Sequence, residues 1–393
     1  MPGRPQLCRA LLALTGTTDQ PDLAALGPAD WQALDELAAE HRLRPLLHAQ
    51  HRDNPAIPAA IRSQWQAAHR ATAMLAMVQR QELAETAQLL AGAGIEAMAL
   101  KGGWLAWHAY PEAAQRPLRD IDLLLREEAF LAGWELLLAR GYLPAAPLDL
   151  PLDQLLEVDK SPPPLIAPRG TAIELHLHAW FPEGRLEYHS PPPDDAGLFA
   201  RARRGGPGQV LYPSAEDMLA HLVIHAIYSH RLDCGPLLLP DIDFLLRSGP
   251  LDWAAFWRRA QAGGYAGGAR LVLDLVQRYR APPGLDLSAA PVPPSPPELL
   301  ATSEELMLQD LTTRYSAGFA ASGLVQGLKG LWPRIVRRVS GGDGAVHHRD
   351  NARDGGYLAW AGSRLKRTLG DLASADVRRQ SRQLAQLSRW LDQ

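Results

Sequence analysis

One short run, Asp120-Ile121-Asp122-Leu123-Leu124-Leu125, constrains this chain more than any other. Along a strand, side chains at i and i+2 point to one face, roughly 6.5–7 Å apart. Asp120 and Asp122 then share a face, while Ile121, Leu123 and Leu125 enter a core on the other. Two neighbouring carboxylates at the start of a buried strand repel each other unless a cation lies between them. A hard divalent ion such as Mg²⁺ suits that geometry, because it takes oxygen ligands and accepts substrate phosphates in its shell. The plainer reading of an Asp-x-Asp is a solvated strand edge.

The surroundings decide which reading applies. Residues 1–94 carry apolar residues at helical spacing, in Trp31, Leu34, Leu37 and Ala38 and then from Ile61 to Leu90, closed by Gly92 and Gly94. From residue 95 the pattern changes to alternating strands and helices. Strands are expected over 95–100, 120–125, 172–178 and 209–212, with helical turns over 104–110 and a helix over 127–140. Helical spacing returns over 215–230, 240–247, 252–263 and 267–280. Residues 281–297 are Pro-rich and read as a linker or surface loop. Beyond them, 298–339 and 357–391 again look helical, around a Gly/Asp/His-rich loop at 341–356. The expected organisation is a helical subdomain (1–94), an α/β core (95–213), a second helical subdomain (214–280), a linker (281–297) and a C-terminal helical region (298–393). The fold class is α+β (mixed α/β): a small mixed sheet flanked by helical subdomains, helix-rich overall.

Composition narrows the options further. Apolar residues are 47% and charged residues 21% of 393, so the whole chain is not disordered. A net charge of −3 argues against a protein whose entire surface attracts nucleic acid. Residues 334–393 do hold twelve Arg/Lys against six Asp, either a solvated helix face or a contact for an acidic acceptor. Two isolated cysteines, Cys8 and Cys234, exclude a disulfide scaffold and a thiolate metal site, and fit a reducing cytoplasm. No apolar run approaches the ~18–20 residues needed to cross a bilayer. Lysine is scarce, at Lys101, Lys160, Lys329 and Lys366, which makes Lys101 conspicuous.

Lys101 opens the second informative stretch, Leu100-Lys101-Gly102-Gly103-Trp104. A Gly-Gly pair directly after a strand lets a phosphate approach the backbone, and free N–H groups at a helix start attract an anion. Lys101, Arg116 and Arg119 add positive charge for phosphates. Phosphoryl chemistry on two metal ions usually needs a further carboxylate, and Glu174 on the next expected strand is the candidate. His176 and His178 share its face by the same period of two, as hydrogen-bonded structural residues or as part of a zinc site.

In these residues the chain resembles the uncharacterised bacterial nucleotidyltransferases of the DNA polymerase β-like superfamily. Their pattern is an apolar strand ending in Leu-Lys-Gly, a Tyr before a loop, an Arg, and then Asp-Ile-Asp-Leu-Leu. Leu100-Lys101-Gly102, Tyr110, Arg116 and Asp120-Ile121-Asp122-Leu123-Leu124 match it. Downstream, Glu174 and His176, Glu216, His221, His225, Arg231-Leu232 and Asp241 look like later family positions. The resemblance spans residues 30–280 and leaves 290–393 uncovered. The wider superfamily places its glycine pair closer to the aspartates, so the inserted segment 104–119 is a feature of this family within it.

The resemblance implies transfer of an NMP from an NTP to an acceptor hydroxyl, with release of pyrophosphate. Asp120 and Asp122 would hold one Mg²⁺ and share a second with Glu174; Mn²⁺ is an alternative ion. The acceptor is a peptide, a small molecule or RNA. Glu216, His221, His225 and Asp241 either line the pocket or tie helices together. The competing expectation is a catalytically idle nucleotide-binding module that regulates a partner.

Overall fold

A computed structural model describes residues 4–18, 21–148, 151–152, 155–156, 159–181, 190–205, 207–311 and 374–392, with isolated positions between 314 and 324. The expected loop at 341–356 and most of the basic C-terminal stretch lie outside the described residues. The N-terminal region is helical, as its spacing implies: α1 (Arg4–Thr15), α2 (Pro28–Glu40), α3 (Arg44–His51) and α4 (Ala59–Gly92). Gly94, at φ +75, ends the long α4, with its N–H returned to the Ala91 carbonyl and that of Ile95 to Leu90.

The α/β region follows as β1 (Ala97–Ala99), α5 (Gly102–His108), β2 (Asp120–Leu125), α6 (Glu127–Ala139), β3 (Leu143–Pro144), β4 (Leu165–Ile166), β5 (Ala172–His176), α7 (Asp195–Arg201), β6 (Arg203–Arg204) and β7 (Leu211–Tyr212). Helices then resume with α8 (Ala215–Ile224), α9 (Leu238–Arg247), α10 (Trp253–Ala262), α11 (Ala266–Tyr279), α12 (Pro297–Met307) and α13 (Ala375–Leu391). The fold is helix-rich α+β. The two-residue strands β3, β4 and β6 carry too few residues to show a period, which is why the sequence did not signal them.

The strands form one mixed sheet in the order β3-β4-β5-β2-β1-β7-β6. The central strand β2 runs antiparallel to β1 and parallel to β5, and β1 runs parallel to β7. Both faces are covered. Ile121, Leu123, Leu125, Ile173 and Leu175 pack with Leu83, Ala87 and Leu90 of α4 and with Phe130, Trp134 and Leu137 of α6. Met98, Leu100, Leu124 and Leu211 point the other way, into a larger core shared with α1, α2, α8, α9, α10 and α11. Double coverage explains why β2 ends in three consecutive leucines rather than alternating to the end.

One buried charge cluster sets the turn between α2 and α3. Asp35 is fully buried and accepts from Arg44 (Nε 2.8 Å, Nη2 2.5 Å) and from Trp65 Nε1 (2.9 Å). Removing its carboxylate leaves Trp65 Nε1 unpaired in the core and Arg44 with only Gln64 Oε1, at 3.3 Å. Asp35→Ala should therefore cost about 3 kcal/mol of stability, read as a lowered thermal midpoint with a changed Trp fluorescence signal.

Candidate active site

The register of β2 on β5 builds the site. Asp122 lies opposite Glu174 and Leu124 opposite His176, so in this parallel pair their side chains share a face. That face also carries Asp120. It looks toward α8 and the residues that follow it, not toward the apolar layer of Ile121 and Leu123. One ligand atom each of Asp122, Glu174 and His176 lies within 4.8 Å of the others, a spacing that could hold a metal ion.

Cations already crowd these acids. Lys101 Nζ donates to Asp122 Oδ1 at 2.9 Å, and His176 Nε2 lies 3.0 Å from the same oxygen and 3.5 Å from Glu174 Oε1. Ser161 Oγ donates to Glu174 Oε1 at 2.5 Å, and Lys160 Nζ stands 3.9 Å from it. Burial works to raise the Asp122 carboxyl, but Lys101 and the hydrogen-bonded His176 outweigh it and hold it well below the usual carboxylate range. Glu174 behaves alike: burial pushes it up, and His176 and Lys160 bring it below its ordinary value. Burial opposes the charges of Lys101 and His176, yet the surrounding carboxylates raise both above their ordinary values. For Lys160 burial wins and its pKa falls.

Asp120 is the exception. Among the described residues its carboxyl forms no hydrogen bond or ion pair, and burial, followed by the Asp122 charge, raises its pKa. An acid short of a counter-charge, two residues from a cluster with cation spacing, fits a divalent ion better than a finished structural ion pair.

The structure distributes the other expected residues. Lys101 sits in the cluster, at φ +42, a region that L side chains rarely adopt. Such strain collects at functional sites. Gly102 and Gly103 are buried and start α5. A Cβ on Gly102 would lie 2.4 Å from Arg116 Nη1 and 2.3 Å from Leu118 Cδ2, and one on Gly103 would lie 3.2 Å from Ala99 Cβ. The pair thus lets the 104–119 segment close onto β1. Arg116 turns both fork atoms onto Asp241 (Nε to Oδ1 3.1 Å, Nη2 to Oδ2 2.8 Å), and Tyr110 donates to the same carboxylate at 2.6 Å. That network anchors the segment between α5 and β2. Arg119 is exposed, directly before Asp120.

His178 leaves the shared face beyond the end of β5 and pairs with Asp195 (2.7 Å), away from the acids. Glu216 accepts the Asp252 N–H, which joins α8 to the start of α10. His221 and His225 do reach the site's wall. Burial, and then the Lys101 charge, pushes both well below their ordinary values, so they are neutral at pH 7. Their rings stack at 6.1 Å, and His225 meets His230 at 4.3 Å across a single π-helical turn, His225–Ser229. Both His221 ring nitrogens are buried without a partner. A ligand or water that satisfied them would recover a penalty of about 1–3 kcal/mol.

Sequence reasoning missed Lys160 and Ser161 as members of the cluster. The available signal was lysine scarcity, since two of the four lysines stand at this one site.

A central strand with alternate acids, a third acid in register on a parallel neighbour and buried cations around them define an α+β protein with a charged cluster whose spacing could hold a metal ion. The chain belongs to the family described as uncharacterised nucleotidyltransferases, which residues 27–281 match. No curated protein and no solved structure matches it.

The two aspartates should respond oppositely to loss of charge. Asp122→Asn should destabilise by about 3 kcal/mol, because Lys101 and His176 lose their shared partner. Asp120→Asn should raise the thermal midpoint of the metal-free protein by removing an uncompensated charge. A carboxyl held low in the fold stabilises fully above its unfolded value, near 4, and that contribution fades as pH falls through and below it. The Asp122→Asn penalty should accordingly be full at pH 7 and shrink in acid, as followed by melts across pH. Equal penalties at pH 7 and pH 3 would contradict this account.

Proposed function

We propose that the protein transfers an NMP from an NTP to an acceptor hydroxyl and releases pyrophosphate. The observation that carries this reading is the face shared by Asp120, Asp122 and Glu174, with Asp120 forming no hydrogen bond or ion pair among the described residues and its carboxyl raised by burial and the Asp122 charge. Asp120, Asp122 and Glu174 would hold Mg²⁺, as two ions, with His176 orienting the last two acids; Mn²⁺ suits the same oxygen-rich donors. A bound divalent ion supplies Lewis-acid charge to the triphosphate and lowers the pKa of the acceptor hydroxyl.

The chain's own residues position the reactants. Lys101 is poised to move from Asp122 toward a phosphate oxygen once another cation neutralises the carboxylate. Arg119 stands exposed beside Asp120 to meet a further phosphate charge. Arg116 contributes by holding the segment 104–119 through Asp241, and Gly102 and Gly103 by letting that segment close. His221 and His225, neutral and unprotonated, offer hydrogen-bonding edges to the nucleotide or the acceptor. Preorganised charge and position supply most of the rate in such chemistry, since the protein forms no covalent bond to the nucleotide.

The acceptor class is a peptide or small molecule, with RNA as the alternative. No described helix is long and apolar enough to cross a membrane, and Cys8 and Cys234 are free thiols. A cytoplasmic location is part of the same proposal.

The test is transfer of label from α-³²P NTPs to candidate acceptors, with Mg²⁺ and with chelator. Wild type should transfer label only with the metal, and Asp120→Ala or Asp122→Ala should lower transfer by about 10³-fold or more. Transfer that persists in the double variant overturns the assigned acids. Tight NTP binding with no transfer to any acceptor favours the idle nucleotide-binding module instead.

A further inference from the structure

The turn between α2 and α3 brings to this site a guanidinium that no motif announces. His41 caps α2, and Arg42 reverses the chain at φ +59. Glycine meets no steric penalty in that conformation and arginine does. The turn is firmly held. Arg42 N–H returns to the Ala39 carbonyl at 3.0 Å and Leu43 N–H to Ala38 at 2.7 Å. Asp35 clamps Arg44 behind it, and His41 Nδ1 lies 3.3 Å from where a Cβ on Gly235 would stand. Packing, not a partner of its own, sets the position of Arg42.

The side chain itself is unspent. Arg42 Nε is buried without a hydrogen-bond partner, and the guanidinium forms no ion pair among the described residues. Its charged neighbours are Arg119 and Arg116 on one side of the balance and Asp120 and Asp241 on the other. Asp241 is already engaged by Arg116 and Tyr110. Burial, then Arg119 and Arg116, pushes the Arg42 guanidinium down to about 10. His41 feels the same surplus: burial, then Arg4 and Arg42, brings it down to about 4. Buried cations are normally paired, and a fork with free donors among like charges is a place for an oxyanion.

We propose that Arg42, from the helical N-terminal region, acts with Arg119 to hold the β- and γ-phosphates of the NTP beside Asp120. This rests on the nucleotidyl-transfer reading and extends it to a residue outside the α/β region. In that reaction the acceptor oxygen bonds to the α-phosphorus and the bond from that phosphorus to the α–β bridging oxygen breaks. The electron pair leaves on pyrophosphate and the acceptor proton passes to solvent. Two guanidinium forks fit the leaving pyrophosphate, each able to take two of its oxygens. Arg116 packs against Gly102 but spends its fork on Asp241, which leaves Arg42 and Arg119 as the guanidinium groups for the phosphates.

Calorimetry on the full chain tests the assignment, with an NTP, the matching NMP and inorganic tripolyphosphate as probes, each with Mg²⁺. Arg42→Gly keeps the φ +59 backbone free of strain, so it deletes the guanidinium with the fold retained, as thermal melts would verify. Arg42→Gly and Arg42→Gln should weaken NTP and tripolyphosphate about tenfold or more while leaving NMP affinity within about twofold, and Arg42→Lys should recover part of the loss. Equal losses for NTP and NMP, or no loss, overturn the proposal even where wild type transfers label. A rise in KM confined to a phosphorylated acceptor overturns it as well, by moving the anion to the other substrate. If wild type neither binds NTP nor transfers label, the nucleotidyl-transfer reading fails on its own. Tripolyphosphate then still decides: binding that depends on Arg42 supports the cation pair, and its absence overturns it.

Discussion

The parallel pairing of β2 with β5 is the constraint on which the rest of the site depends. With Asp122 opposite Glu174, three acids and His176 fall on one face of the sheet. A slip of one residue would turn Glu174 and His176 into the apolar layer with Leu83 and Phe130, and bring Ile173 and Leu175 to the acids. Register here is strongly specified, because both faces of the central strands are buried and each rejects the other's side chains. The apolar layer against α4 and α6 therefore does more than stabilise: it forces the acids together on the opposite face.

Bringing acids together creates an electrostatic problem that the chain solves only in part. Asp122 and Glu174 receive Lys101, His176, Lys160 and Ser161, while Asp120 forms no hydrogen bond or ion pair among the described residues, and the more distant Lys101 and His176 do not offset its burial and the Asp122 charge. The neighbourhood of Arg42 is the mirror case, with guanidinium groups gathered and too few anions to match. A finished structural network would have paired these opposite surpluses. Left side by side, they suit a ligand that carries both signs, and a metal-bound nucleoside triphosphate is one.

Much of this was legible in the sequence, and for identifiable reasons. β2 appears over 120–125 as its alternation implies, α6 runs to Ala139 before Gly141, and α8 through α11 follow their helical spacing. Long periodic elements announce themselves because their burial is one-sided or their caps are glycines. The residues that were not legible share the opposite property. Lys160 precedes a Pro-rich turn and Arg42 sits in a three-residue reversal. Neither belongs to a spacing that could mark it. Arg116 matched a family position, and only the fold reveals that Asp241, far along the chain, occupies its fork.

Local pattern alone determined that Asp120 and Asp122 share a face, since a strand's period of two is fixed by the backbone. The same period placed Glu174 and His176 together on β5. Which strands become neighbours, and in what register, was decided by tertiary packing, because a parallel crossover between residues 125 and 172 leaves no trace in short-range spacing. The charge state of the site was likewise a tertiary outcome. Whether an acid is compensated depends on cations from distant segments, and a sequence lists those cations without saying where their side chains end.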